Sequence, residues 1–189
     1  FHCPVESVQL AGKLFITEAD IRTCLTKEPG ATMPQIIPNN GYYFGGSWGG
    51  PNFANSVADM RIRSAEVLAR HTGIWWFDMW GGWFDDPRLL DVIRSTQTFY
   101  SRYVPTQSDA MDAEVCVVVD EQLCFMDATY GAKTDQLLWN MFALAKTGAP
   151  YDHFLRTDLF SLGIDKYKTV WLMGFLELTD RERELIDSL

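Results

Sequence analysis

Positive charge is scarce in this chain. It sets 16 Lys and Arg against 25 Asp and Glu, for a formal net charge of −9 over 189 residues. Nucleic acid calls for a basic footprint and an anionic membrane surface for a basic face, so the balance argues against both partners. No run of about eighteen apolar residues occurs, so no transmembrane helix is expected. The start, Phe1-His2-Cys3-Pro4, lacks the basic residues and apolar core of a signal peptide. Cysteines are few and scattered (Cys3, Cys24, Cys116, Cys124), with no CxxC pair and no Cys/His cluster. Free thiols are therefore expected rather than disulfides or a metal site, which favours a reducing, cytoplasmic compartment. The second half of the chain has no GxGxxG, no P-loop and no GxSxG elbow, and no cofactor is expected.

What is abundant is aromatic and apolar. At 47% hydrophobic and 22% charged residues the chain has material for a real core. Its densest stretch is Gly73 to Pro87, GIWWFDMWGGWFDDP, with four of the seven tryptophans, two phenylalanines and three aspartates. A strand buried for stability alone would use Val, Ile and Leu, because each indole N–H needs a partner. Tryptophan interleaved with carboxylates and glycines suits a flat, polar, ring-shaped ligand such as a sugar; an aromatic core strand followed by a loop is the plainer alternative.

Along the chain, Lys13 to Glu18 reads as a strand with Leu14, Ile16 and Glu18 on one face and Phe15 and Thr17 on the other. Both faces are largely apolar, as in a sheet covered on both sides. Glu18 falls at the carboxyl end, on the inner face if Leu14 and Ile16 fill a barrel, and Asp20 and Arg22 follow at once. A surface strand end with a solvated ion pair is the alternative. Thr26 to Pro51 is a long proline- and glycine-rich loop carrying Tyr42, Tyr43 and Trp48 as ligand contacts at the mouth of a site. A helix is expected from about Asn55 to Arg70, with Val57, Met60, Ala65 and Leu68 as its stripe and Gly73 ending it. In the strand Ile74 to Met79, alternation sets Trp76 and Asp78 opposite Trp75, Phe77 and Met79. An unpaired carboxylate is costly against packed helices, so Asp78 and Trp76 are expected at the polar mouth. A helix with Asp86 as N-cap and Pro87 in its first turn follows, burying Leu89, Leu90, Ile93 and Tyr100.

Strand, loop, helix, strand, helix is the unit of a parallel α/β fold, whose ligands gather at the carboxyl ends of strands. After the linker Pro105 to Ala113 the pattern restarts with the buried strand Glu114 to Asp120, EVCVVVD. A helix around Thr134 to Thr147, strands at Tyr151 to Leu155 and Thr169 to Gly174, and a capping box from Thr179 to Glu182 follow. This makes half of a doubly wound sheet, with the chain read as a fragment. Asp120 is expected to cap the next segment and His153 to be a structural histidine.

These segments carry a resemblance. LFITEAD, a long loop and helix, GIWWFDMWGGWF, then AEVCVVVDEQL look like the carboxyl half of a family 42 glycoside hydrolase (beta-galactosidase-like). ALAKTGAPYDHFLRTDL and YKTVWLMGFLELT are similar to that family's trimerisation domain. The resemblance implies that residues 1–104 are the last two β/α units of a TIM barrel, 105–113 a linker, and 114–189 part of a flavodoxin-like (amidotransferase-like) domain. It implies a homotrimer and a retaining hydrolase of β-linked sugars, without cofactor or metal. Glu18 matches the nucleophile, with the acid/base glutamate upstream of Phe1. Trp76 matches the sugar-stacking aromatic, and Asp78, Asp20, Arg22, Trp48, Trp80 and Trp83 are further substrate contacts. Arg22 would favour ionised Glu18, and Asp20 competes with Glu18 for the catalytic role. A non-catalytic carbohydrate-binding or assembly protein is the other reading. The glycosidase reading requires Glu18 and Trp76 to line one pocket; placing them on opposite ends or opposite sides of the sheet would end it.

Overall fold

Helix and strand alternate through most of the chain, in the order α1 (Val5–Leu10), β1 (Ile16–Ala19), α2 (Phe53–Ala69), β2 (Gly73–Trp76), α3 (Pro87–Tyr103), β3 (Val115–Val119), α4 (Leu123–Met126), α5 (Asn140–Lys146), β4 (Tyr151–Leu155), β5 (Thr169–Met173) and α6 (Asp180–Asp187). The structure, a computed structural model, describes residues 3–26, 52–78, 81–103, 112–128, 131, 137 and 139–189. The long loop and the linker read from the sequence lie almost wholly outside these residues. Every strand pairing described is parallel, so the chain is of the α/β class. It divides into two compact units, Ile16–Ala110 and Phe1–Phe15 with Met111–Leu189, so the first fifteen residues join the second half.

In the first unit β1 and β2 form a two-stranded sheet. Asn52 caps α2 by accepting from the Asn55 amide at 3.1 Å. Ser56, Met60, Ser64 and Val67 form its buried stripe, one position round from that expected: Ser56 Oγ accepts from the Cys24 amide at 2.9 Å, and the small Ser64 faces α3. Thr96 of α3 donates to Ser64 Oγ at 2.8 Å there. The helix ends at Arg70, with His71 in the left-handed region (φ 51°), while Gly73 is the first residue of β2. A Cβ at Gly73 would stand 2.9 Å from Ile16 Cγ1, so glycine allows the strands to come together. Asp86 caps α3 as expected, accepting from the Arg88 amide at 2.9 Å and pairing with its guanidinium. That pairing holds the Asp86 carboxyl down at about 2. The core joins Ala19, Ile21, Met60, Trp83, Phe84, Leu89 and Val92, whereas Leu90, expected inside, is exposed.

The second unit holds a three-stranded sheet in the order β4-β3-β5. The β-branched run of β3 is central and buried on both faces. Cys116 and Val118 meet Phe154, Leu159 and Tyr167, with Leu185 of α6 packed alongside; Val117 and Val119 meet Met141 of α5, Tyr151 and Met173. The β4 edge is occupied by α1. Glu6 Oε2 accepts from the His153 amide at 3.0 Å, and Ser7 Oγ from the Leu155 amide at 2.8 Å. Side chains thus satisfy edge donors that a neighbouring strand would otherwise take. A helix this short leaves no periodic signal, and sequence reasoning missed it.

Candidate functional site

Partners in a parallel pair point to the same side of a sheet, so register decides which residues share a surface. Ile16 pairs with Gly73, Thr17 with Ile74, Glu18 with Trp75 and Ala19 with Trp76. Ile16, Glu18 and Trp75 therefore share one face, and Ala19, Ile74 and Trp76 the other. Burial follows the same division. Ile16 is 55% and Trp75 47% exposed and Glu18 is exposed, whereas Ala19 is buried and Trp76 packs against the core that α2 and α3 cover. Glu18 stands near the carboxyl end of β1, on the face turned away from the helices, as its parity predicts.

Trp76 does not join it. The expectation that Trp76 and Asp78 face a common mouth fails, because the strand ends at Trp76 and alternation does not extend through Asp78. Asp78 is exposed beyond the strand, and its Oδ2 accepts from the Trp83 amide at 3.2 Å, so its carboxylate needs no place on a strand face. The requirement that Glu18 and Trp76 line one pocket is not met: they lie on opposite faces. Trp75, read from the sequence as packing, is the aromatic side chain beside Glu18. Nothing in the alternation alone identifies it; the pairing with β1 does.

Trp83, predicted to touch substrate, is fully buried. Its ring meets Phe77 at 6.3 Å between centroids, and Phe77 meets Trp75 at 5.2 Å, both edge to face. Arg22 lies over the Trp83 ring at 5.4 Å and pairs with Asp20 at 3.7 Å. Thr23, also buried, donates to the Trp83 carbonyl. Trp48 and Trp80, like Tyr42 and Tyr43, lie outside the described residues. Clefts occur elsewhere: one of about 470 Å³ between α2 and α3, bordered by Phe53, Arg61 and Arg88, and one of about 370 Å³ beside β5, bordered by Tyr167, Leu172 and Ile186.

At the carboxyl ends of β3 and β4, sequence reasoning missed Arg156. Its guanidinium donates to Asp120 Oδ2 at 2.5 Å and to both oxygens of Glu182, at 2.7 and 2.6 Å. Both carboxylates are 4% exposed. Glu182 also completes the capping box, accepting from the Thr179 amide at 2.7 Å. Hydrogen bonds from Arg156, then from Thr179, outweigh burial and hold the Glu182 carboxyl down at about 2; the bonds to Glu182 and then Asp120 push Arg156 upward. Asp120 Oδ1 caps the following turn as expected, accepting from the Gln122 amide at 3.0 Å. His153 is buried in β4. All four cysteines carry free thiols, and burial first, with Asp152 nearby, pushes Cys116 up to about 12. Among the described residues no group of three His, Cys, Asp or Glu could hold a metal ion, and no helix is long and apolar enough to cross a membrane. Compared with protein-family models, curated proteins and solved structures, the chain matches none.

Proposed function

We propose a revised form of the glycosidase reading, since the form that rested on Glu18 with Trp76 is overturned by their opposite faces: the chain belongs to a retaining glycoside hydrolase acting on β-linked sugars, with Glu18 as nucleophile and Trp75 as the platform for the sugar ring. The observation that carries this reading is the Glu18–Trp75 pair, in register on the face of two parallel strands that no helix covers among the described residues. Helices on one face only are the arrangement of a (β/α)8 barrel, whose opposite face is the lumen. On this reading the exposed Ile16, Glu18 and Trp75 are lumen residues that further strands would enclose. The β4-β3-β5 order, with the first strand in the middle, suits the flavodoxin-like domain of the same proposal.

The chemistry follows from the residue types. Carboxylate attack on the anomeric carbon forms a glycosyl ester while a second carboxyl group, about 5 Å away, protonates the departing oxygen; water then cleaves the ester with retention. The family resemblance assigns that second group to the fourth barrel strand. An indole face beside the nucleophile packs on the C–H face of the sugar and excludes water.

Hydrolysis of aryl β-glycosides by the intact protein tests the assignment. Glu18→Gln should lower turnover by about three orders of magnitude or more with binding retained, and azide should rescue Glu18→Ala with inverted glycosyl azide as product. Unchanged turnover would move the nucleophile to another carboxylate, Asp20 first. Sugar binding by a wild-type protein that hydrolyses nothing would make this a carbohydrate-binding or assembly protein.

A further inference from the structure

The strand ends that carry Glu18 and Trp75 are joined by the parallel ladder and by the Phe77 amide, which donates to the Ala19 carbonyl at 3.3 Å, and the buried Trp83 adds a further tie. We infer that Asp78 and Arg22 are positioning residues rather than sugar ligands: with Thr23 they clamp the buried Trp83, which ties the carboxyl end of β1 to the turn after β2 and holds Glu18 and Trp75 in one rim. Three observations on different atoms of Trp83 lead here. Its amide donates to Asp78 Oδ2 at 3.2 Å across the Gly81–Gly82 turn, where both glycines take φ +83°. Its carbonyl accepts from the hydroxyl of Thr23, sixty residues away on the chain leaving β1. Its ring lies under the Arg22 guanidinium at 5.4 Å, and that side chain is only 15% exposed.

Each contact constrains a different freedom. The two backbone bonds fix where the turn after β2 sits against the segment after β1, since a buried amide or carbonyl left unmade costs a full desolvation penalty. The cation over the ring sets the direction of Arg22, which in turn reaches Asp20 at 3.7 Å. From the indole, Phe77 continues the edge-to-face contacts out to Trp75. Asp78 Oδ2 and the face of the Arg22 guanidinium both bear on Trp83, which is fully buried, so the direction of each side chain is set from within the protein. The functional part of this inference rests on the glycosidase reading; the clamp itself does not.

Two conservative replacements separate the roles. Asp78→Asn keeps an oxygen that can accept from the Trp83 amide, whereas Asp78→Ala removes it. Hydrogen exchange of that amide, read by NMR on this chain, should accelerate about tenfold or more in Asp78→Ala and by less than about threefold in Asp78→Asn. Equal rates in the wild type and Asp78→Ala would overturn the clamp. With the intact protein and an aryl β-thioglycoside as probe, affinity should fall in Asp78→Ala and be kept within about twofold in Asp78→Asn, with Arg22→Lys milder than Arg22→Met. If Asn and Ala lose affinity alike, Asp78 binds sugar directly and the positioning role is wrong. If the wild type does not bind the probe, the glycosidase reading fails while the exchange experiment still decides the clamp.

Discussion

Replacing Glu182 with glutamine leaves a side chain of the same length that can still accept from the Thr179 amide, so the capping box survives in part while the charge facing Arg156 is lost. The wild-type carboxyl sits at about 2 against an ordinary value of 4.5. A depression of that size corresponds to about 3 kcal/mol of folding free energy by linkage. Arg156 keeps 18% side-chain exposure and retains Asp120, which brings the expected cost of Glu182→Gln at pH 7 nearer about 2 kcal/mol. The folded value is the depressed one, so the stabilisation is complete above about pH 4.5 and is lost as pH falls towards 2. The gap between wild type and Glu182→Gln should therefore close over that window as the wild-type carboxylate takes up its proton. Urea unfolding followed by hydrogen-exchange mass spectrometry of peptides from β3, β4 and β5 reads this unit separately from the other. Equal stability at pH 7, or a gap undiminished at pH 2, would refute the assignment of the effect to charge.

Trp75→Ala should leave thermal stability within about 0.5 kcal/mol of wild type, because the side chain is exposed, while Trp76→Ala should cost about 3 kcal/mol by opening the core; differential scanning calorimetry compares them, and the reverse order would contradict the strand register. In iodoacetamide labelling at pH 8, exposed Cys124 should react with the native protein and Cys116 only after denaturation, since the latter is fully buried and its thiol is pushed up to about 12.

Much of this architecture is legible in the residues. The β-branched run around Val117, the Thr179-Asp-Arg-Glu box and the Asp86-Pro87 start each contain their own local reason for folding, and each element forms there. Failure begins where the reason is not local. Alternation along GIWWFD has two possible parities, and in the sequence the Asp78 carboxylate is what distinguishes them. That distinction holds only with Asp78 in a strand, whereas Asp78 lies beyond β2 and accepts from an amide five residues on. Placing it in the strand inverts the roles of Trp75 and Trp76 and moves Trp83 from core to surface. Glu18 escaped the error, because its own strand carries Ile16 on the same side and buried Ala19 on the other. Arg156 was passed over for a similar reason: its partners stand 36 and 26 residues away, and no spacing rule connects them.

The helix seated on β4 has a consequence for how the second unit can be assembled. Its bonds to the sheet span 147 and 148 residues, so Glu6 and Ser7 cannot dock until the chain has been made as far as β4. Such long loops close late, and until then the outer edge of Tyr151–Leu155 stays open to strands of other molecules. A polypeptide begun after Ala110 would inherit that open edge permanently, and clumping through β4 is the behaviour to expect of it.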